Sequence, residues 1–269
     1  MFFKIEMQIS LIITTYNRPD ALKIVLKSVE NQNKLPNEVI IADDGSNDET
    51  RSLIEDFASN SKLKITHSFQ EDIGFRAARS RNRAISKASG EYIVMIDGDM
   101  MLHRDFIYDH LRNAQNGYFV QGRRVLLTGK RTRDVLECYK PISNFLEAGL
   151  VNRKNAIHSN FLSNIFSTKK NFLRGIKTCN VAFFKKDCIS VNGFNNEFEG
   201  WGKEDSEFFV RMMNKGINRK TLRFNAIQYH LWHIEANRAS LKKNEHLLKK
   251  TINKNLDWCK MGIDQFYEH

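Results

Sequence analysis

Within its first hundred residues the chain alternates two hydrophobic periods, and this alternation restricts the fold more than any other feature. "QISLIITT" (8–15), "EVIIA" (38–42), "KLKITHSF" (62–69) and "EYIVMI" (91–96) are short apolar runs with strand character. Between them lie apolar faces at helical spacing: Ala21, Leu22, Val25, Leu26 and Val29, then Leu53, Ile54 and Phe57, then Ala77, Ala78, Ala84, Ile85 and Ala88. Ser46 and Glu49 have capping-box spacing before the second of these helices. A βαβαβαβ order predicts an α/β fold, a mostly parallel, doubly wound Rossmann-like sheet with helices on both faces.

Sheets of this kind bind ligands beyond the carboxyl ends of their strands. Three of those ends are polar: "TTYNR" (14–18), "ADDGS" (42–46) and "IDGD" (96–99). Asp43, Asp44 and Gly45 alone are ordinary turn and cap chemistry, but three polar ends aimed at one crevice favour a nucleotide site. Asp97 and Asp99 flank Gly98 after an apolar run, where desolvating carboxylates is costly. Two such acids call for a cation, and oxygen ligands suit Mg2+ or Mn2+. No GxGxxG follows the first strand and no GxxxxGK[ST] occurs, which disfavours a dinucleotide enzyme or a P-loop NTPase.

The chain has 269 residues, 41% hydrophobic, with only three prolines, so a sizeable ordered core is affordable. No run approaches the roughly 18 apolar residues of a membrane span, and the N-terminus lacks a signal-peptide cleavage site. Four cysteines without CxxC spacing argue against disulfides and structural zinc. The expectation is a cytoplasmic protein. Its net charge of +11 suggests phosphate-bearing partners: nucleic acid, nucleotides or an anionic membrane. From Ala148 to Lys186 there are eight Lys or Arg and no acid, with Ile157, Phe161, Leu162, Ile165 and Phe166 at helical spacing. Either a solvated helix packs there on the core, or a basic amphipathic surface rests on anionic lipid.

Further on, "NVAFFKK" (180–186) reads as a strand and "NGFNNEFEGWGKEDSEFFVRMMNKG" (192–216) as a loop entering a helix. Glu204 and Asp205 fall in that helix's first turn, where acids also complement the dipole, and Trp201 offers an apolar platform suited to sugar stacking. "QYHLWHIE" (228–235) holds His230 and His233, three apart. The tail from Ala239 to Glu268, with Leu241, Leu248, Ile252 and Leu256, reads as a helix packing back on the domain, or less readily as a peripheral membrane helix.

"SLIITTYNR", "VIIADDGSNDET", "GFRAARSRNRAISKASGEYIVMIDGDM" and "GWGKEDSEF", in this order, resemble inverting family 2 glycosyltransferases of GT-A fold. The last motif is also similar to the acceptor half of β-1,4-galactosyltransferases and bacterial chondroitin-type polymerases. The resemblance covers roughly residues 8 to 235 and implies a GT-A domain over 1–235, a nucleotide-sugar half (1–101), an acceptor half (102–235) and a helical tail (236–269). It implies that Thr14, Tyr16, Asn17 and Arg18 hold the nucleotide and that Asp44 accepts from the uracil N3–H. Arg76 would approach the base, while Arg81 would join the nucleotide site or pair with an acid of the sheet. Asp97, with Gly98, would approach the ribose, and Asp99 would ligate Mn2+ or Mg2+ together with His230 or His233. Asp205 would be the general base, Glu204 would bind acceptor hydroxyls, and Trp201 and Gly202 would line the acceptor pocket.

The implied activity is metal-dependent, inverting transfer of a hexose or N-acetylhexosamine from a UDP-sugar to a glycan or lipid-linked glycan. It would serve surface polysaccharide or lipopolysaccharide synthesis, at the inner face of the cytoplasmic membrane. Two other classes fit the sequence less well. A nucleic-acid-binding protein would interleave basic and aromatic residues on one face, whereas here acids cluster at strand ends, so no nucleic-acid partner is expected. A sugar-nucleotide nucleotidyltransferase would carry a Gly-rich N-terminal signature with a catalytic lysine, and "TTYNRPDAL" has neither.

Overall fold

The structure, a computed structural model, describes residues 7–234 and 240–267. Strand β1 (Ile9–Thr15) leads through α1 (Pro19–Glu30), β2 (Glu38–Asp43), α2 (Asp48–Asn60), β3 (Ile65–Phe69) and α3 (Ala77–Lys87) to β4 (Tyr92–Asp97). Then follow β5 (Met100–Leu102), α4 (Phe106–Asn113), β6 (Tyr118–Gln121), β7 (Arg123–Leu126), α5 (Gly129–Cys138), α6 (Asn160–Phe166) and β8 (Thr168–Lys169). The chain continues through β9 (Asn180–Phe184), α7 (Lys185–Ser190), α8 (Glu204–Asn214), β10 (Asn218–Thr221), β11 (Ile227–His230) and α9 (Leu241–Asn253).

The large sheet has strand order β3-β2-β1-β4-β9-β6-β10-β8. Its first four strands are parallel, with Ile12 level with Ile40 and Met95. Both faces of β1, β2 and β4 are covered, which is why these strands read as unbroken apolar runs rather than as alternation. Leu11, Ile13, Val39 and Val94 pack under Leu22, Val25 and Val29 of α1. Ile12, Ile40, Ile93 and Met95 face Ala78, Ala84 and Ile85 of α3, together with Phe208 and Phe209 of α8. Pro19 at the first turn presets α1. Strand β9 enters antiparallel to both β4 and β6; it ends at Phe184, and Lys185 and Lys186 open α7 instead of continuing it. A second sheet, β5-β11-β7, lies beside the first. Among the described residues no helix is long and apolar enough to cross a membrane.

Three local expectations need correction. The cap of α2 is Asn47, whose side chain accepts from the Thr50 N–H; the Ser46 hydroxyl is drawn away to accept from the Asn17 N–H, so no capping box with Glu49 forms. Helix α6 is only partly seated: Phe161, Ile165 and Phe166 are exposed, Leu162 is half-buried, Phe166 meets the Phe224 ring edge-on at 5.8 Å, and Ser163 is the buried residue. The tail does pack back, α9 against α8, but Ile252 faces solvent while Asn244 and Thr251 are buried. Thr251 donates to Glu207, which forms a two-pronged pair with the fully buried Arg211 at 2.9 and 2.8 Å. The expected ends of that tail, Ala239 and Glu268, and the expected boundary at residue 235 lie outside the described residues.

Candidate active site

The carboxyl ends of β1, β2 and β4 lie side by side, with Thr14 level with Ala42 and Asp97. The Asp44 N–H donates to the Thr15 carbonyl and the Gly98 N–H to that of Thr14, so both loops turn directly off the β1 end. A Cβ at Gly98 would press on the Thr14 carbonyl and Thr15 side chain at 3.0–3.2 Å, which explains the glycine between the two acids. Buried Asp43 accepts from Ser46 N–H and faces His67 Nε2, both at 2.8 Å. Burial works against its charge, but these bonds hold its pKa below the ordinary value.

Asp44 is also buried, and its oxygens accept from the Gln70 amide and the Arg76 N–H, so it fastens the start of α3. Burial raises its pKa, partly offset by those bonds. Two of the roughly four lone-pair sites of a carboxylate stay open to a base N–H. The other expected nucleotide residues are held near these strand ends in different ways. The Arg76 guanidinium donates to the Glu71 carbonyl at 2.7 Å. Tyr16 is exposed and donates to Asp72 at 2.9 Å. Asn17, at φ 48°, ties the β1–α1 loop to Ser46 and Asn47. Arg18 pairs with Asp20 at 3.4 Å. The Thr14 hydroxyl is buried without a partner.

Arg81 does pair with an acid of the sheet. Buried, it donates to Glu204 at 3.1 Å and lies 3.7 Å from Asp97, joining α3 to α8 and to the end of β4. One guanidinium faces three carboxylates, since the charge of Asp205 also bears on it. Burial, reinforced by Asp99 and Asp205 and opposed by Arg81, pushes Asp97 up to about 6. Burial and Asp205, again against Arg81, push Glu204 up to about 7. Glu204 Oε2 is buried without a partner, while half-buried Asp205 accepts from the Thr178 N–H at 3.2 Å. Before α8, Gly200, Gly202 and Lys203 all have φ between 73° and 109°, and this left-handed run leaves Trp201 39% exposed beside the acids. A side chain at Gly200 would collide with Ser240, so the loop's path depends on glycine there.

The sign of the resulting pH dependence is fixed. Asp97 and Glu204 bind protons more tightly folded than unfolded, so their contribution to stability is full below the ordinary values of 3.8 and 4.5 and is lost as pH rises through about 6 and about 7. In metal-free protein, the wild-type denaturation midpoint therefore falls relative to that of Glu204→Gln between about pH 4.5 and about pH 7. A wild-type-minus-variant difference that is flat, or rises, across this window overturns the assignment.

The second sheet brings the histidines in. β11 runs antiparallel to β5 with His230 level with Met100, and Leu231 N–H donates to the Asp99 carbonyl. The Nε2 atoms of His233 and His230 lie 3.0 and 3.3 Å from Asp99 Oδ2 and 3.2 Å from each other. His233 Nδ1 sits 2.7 Å from the Ile234 carbonyl, which can only accept; the ring proton is therefore on Nδ1 and the Nε2 lone pair faces the carboxylate. Lone pairs this close need a proton or a cation between them. Without a metal the proton serves: Asp99 is held below the ordinary carboxylate range despite burial, and His233 is raised by its bond to Asp99. Asp99 Oδ1 is buried without a partner. These three residues are one of the groups able to hold a metal, and the mixed oxygen and imidazole donors fit manganese better than magnesium.

Sequence reading missed several participants. Arg124 of β7 lowers the pKa of Asp97 by its charge, the Thr178 N–H steadies Asp205, and Gln70 shares Asp44. Each acts through tertiary contact or a backbone group, which leaves no periodic trace in a sequence.

Residues 10–178 match the family model described as "Glycosyl transferase family 2", and residues 163–234 match "N-terminal domain of galactosyltransferase". A chondroitin synthase of Escherichia coli is 29% identical over 239 residues, which is 82% of this chain and 34% of that protein. A hyaluronan synthase of Pasteurella multocida is 28% identical over 230 residues, 80% of this chain and 24% of that protein. The chain thus spans about a third or less of these relatives. Among solved structures, S. aureus TarS 1-349 in complex with UDP aligns with a TM-score of 0.61 at 19% identity, over 91% of this chain and 65% of that one. The mannosyltransferase PcManGT of Pyrobaculum calidifontis, in complex with GDP-Man and Mn2+, aligns at 0.60 and 18% identity, over 93% and 64%. At these identities the likeness establishes the fold, a mixed α/β GT-A architecture built on a large, mostly parallel sheet.

Proposed function

The chain belongs to glycosyltransferase family 2, and from this premise we propose that it transfers a hexose or N-acetylhexosamine from a UDP-sugar to a glycan by a single, inverting, metal-dependent displacement. Residues 1–101 serve the donor and 102–235 the acceptor. The acceptor is a surface polysaccharide or lipid-linked glycan, handled at the inner face of the cytoplasmic membrane through peripheral contact with anionic lipid. One observation carries the reading: the ends of β1, β2 and β4 lie side by side, Asp99 after β4 meets His230 and His233, and Arg81 ties Asp97 to Glu204, next to the separate acid Asp205 at the start of α8. Fold neighbours in complex with UDP and with GDP-Man and Mn2+ support a nucleotide-sugar donor and a metal.

In this reading Asp99, His230 and His233 hold Mn2+ or Mg2+, which when bound offsets charge on the departing diphosphate. Thr14, Tyr16, Asn17, Arg18 and Arg76 surround the nucleoside, with Asp44 taking the uracil N3–H. Arg81 keeps Asp97 and Glu204 in place as Asp97 meets the ribose beside Gly98. Trp201 and Gly202 line the acceptor pocket, where the unpartnered Glu204 Oε2 accepts an acceptor hydroxyl. Asp205 takes the proton of the attacking hydroxyl.

Screening UDP-sugars for UDP release with and without EDTA tests the reading; release from none of them, or release indifferent to EDTA, would sink it. A narrower expectation concerns the base. Asp44→Asn weakens UDP binding about 10- to 100-fold, as a hydrogen bond to a charged acceptor is worth roughly 1.5–3 kcal/mol. Calorimetry with UDP, GDP and CDP reads both the loss and the base preference, and an unchanged UDP dissociation constant removes Asp44 from the site.

A further inference from the structure

Helix α6 leaves an apolar arc uncovered. Phe161, Ile165 and Phe166 are 72%, 57% and 45% exposed, and at about 100° per residue they share one side of the helix. Single exposed apolar residues are ordinary on a protein surface, but three on two turns are not. Both ends of the helix are fastened to the segment before β11: Ser159 N–H donates to the Phe224 carbonyl, and Arg223 N–H to the Ser167 hydroxyl. Arg223 in turn lines a pocket of about 550 Å³ with Arg123, Arg153 and Lys154, and no acid lines it. The apolar arc and the basic pocket are therefore neighbours.

None of these four cations makes an ion pair among the described residues, although all are exposed. They also oppose one another. Arg123 is lowered by partial burial and by Arg223, and Arg219 is pushed down to about 10 by burial and then by Arg123. Lys169 and Lys170, both exposed, extend the positive field just beyond α6. Uncompensated cations around a cavity favour an incoming anion, and the adjacent apolar arc favours one that comes with a hydrocarbon layer.

We infer that this face docks on a bilayer containing anionic phospholipid, with α6 lying in the interface and Arg123, Arg153, Lys154 and Arg223 meeting headgroup phosphates. A soluble polyanion such as RNA would use the cations but leave the arc in water. Arg123 is level with Ile227, three residues before His230, so the pocket begins about 10 Å along the strand from the metal group. Docking there leaves the donor crevice free. The inference rests on the peripheral-membrane part of the function proposed above and is independent of the sugar-transfer chemistry.

The experiment is co-sedimentation of the full chain with vesicles of phosphatidylcholine alone or mixed with phosphatidylglycerol. Binding is expected to the mixed vesicles only, weakening with salt. The variant Arg153→Ala/Lys154→Ala/Arg223→Ala loses about a hundredfold in partitioning, at about fivefold per cation. Phe161→Ser/Ile165→Ser loses about tenfold or more on the same vesicles. Transfer to a soluble acceptor stays unchanged in both variants, so failed docking and a failed transferase reading give different results. Equal binding to both vesicle types, or none, overturns the inference. So does binding of RNA that falls with the charge variant while the Phe161→Ser/Ile165→Ser variant still holds vesicles as wild type does.

Discussion

Asp99→Ala lowers sugar transfer by more than about a thousandfold, because a metal that offsets diphosphate charge supplies several kcal/mol in the transition state. The substitution removes the carboxylate on which, among the described residues, His230 and His233 both converge. Neither imidazole alone replaces the anion. Excess EDTA should reproduce the loss in wild type, and Mn2+ should restore it more fully than Mg2+. A readout independent of turnover follows from the pinned tautomer of His233: the proton shared with Asp99 must leave when a cation enters. Calorimetry of Mn2+ binding in buffers of different ionisation enthalpy should report that release, and it should be absent in His233→Ala. Full activity in excess EDTA would remove the metal from the reaction.

The second large effect is on the base. Asp205→Asn should keep fold and UDP affinity, since the amide is nearly isosteric and still accepts from the Thr178 N–H. Turnover should fall by about two to four orders of magnitude, the usual share of general base catalysis. Glu204→Gln should instead raise the acceptor KM more than it lowers kcat, as befits a group that holds a hydroxyl without taking its proton. Asp205→Asn turning over at near wild-type rate, or a product that keeps the donor's anomeric configuration by NMR, contradicts the single inverting displacement.

The stretch from β1 to β4 was legible because its signals are local. Leu22, Val25 and Val29 repeat at helical spacing, and both faces of β1 and β4 are buried, so periodicity alone recovered those elements. The second sheet was legible only in part: "AIQYHL" (226–231) reads as a strand around His230 and is β11, whereas β5, three residues long, is too short for a period to show. Hence His230 and His233 could be named from the sequence while their convergence on one oxygen could not. Ser46 and Asn47 are both able caps, and a contact with Asn17 from another loop decided between them. Periodicity also cannot say what covers a face. The spacing of Phe161 and Ile165 is that of a packed helix, yet both side chains are exposed among the described residues, while Glu207 and Arg211 look like a surface pair and are sealed by Thr251 of α9.

The β5–β11 pairing has one more consequence. It holds Asp99 and His230 together although about 130 residues separate them along the chain, so a cation shared between them closes a very long loop. An ion held there as proposed would be a removable cross-link, and global stability would become a function of free metal concentration. At a hundred times its dissociation constant the ion adds about 2.7 kcal/mol to the folded state. A cell short of that metal would hold a looser protein as well as a slower one, and its turnover by proteases would track metal supply.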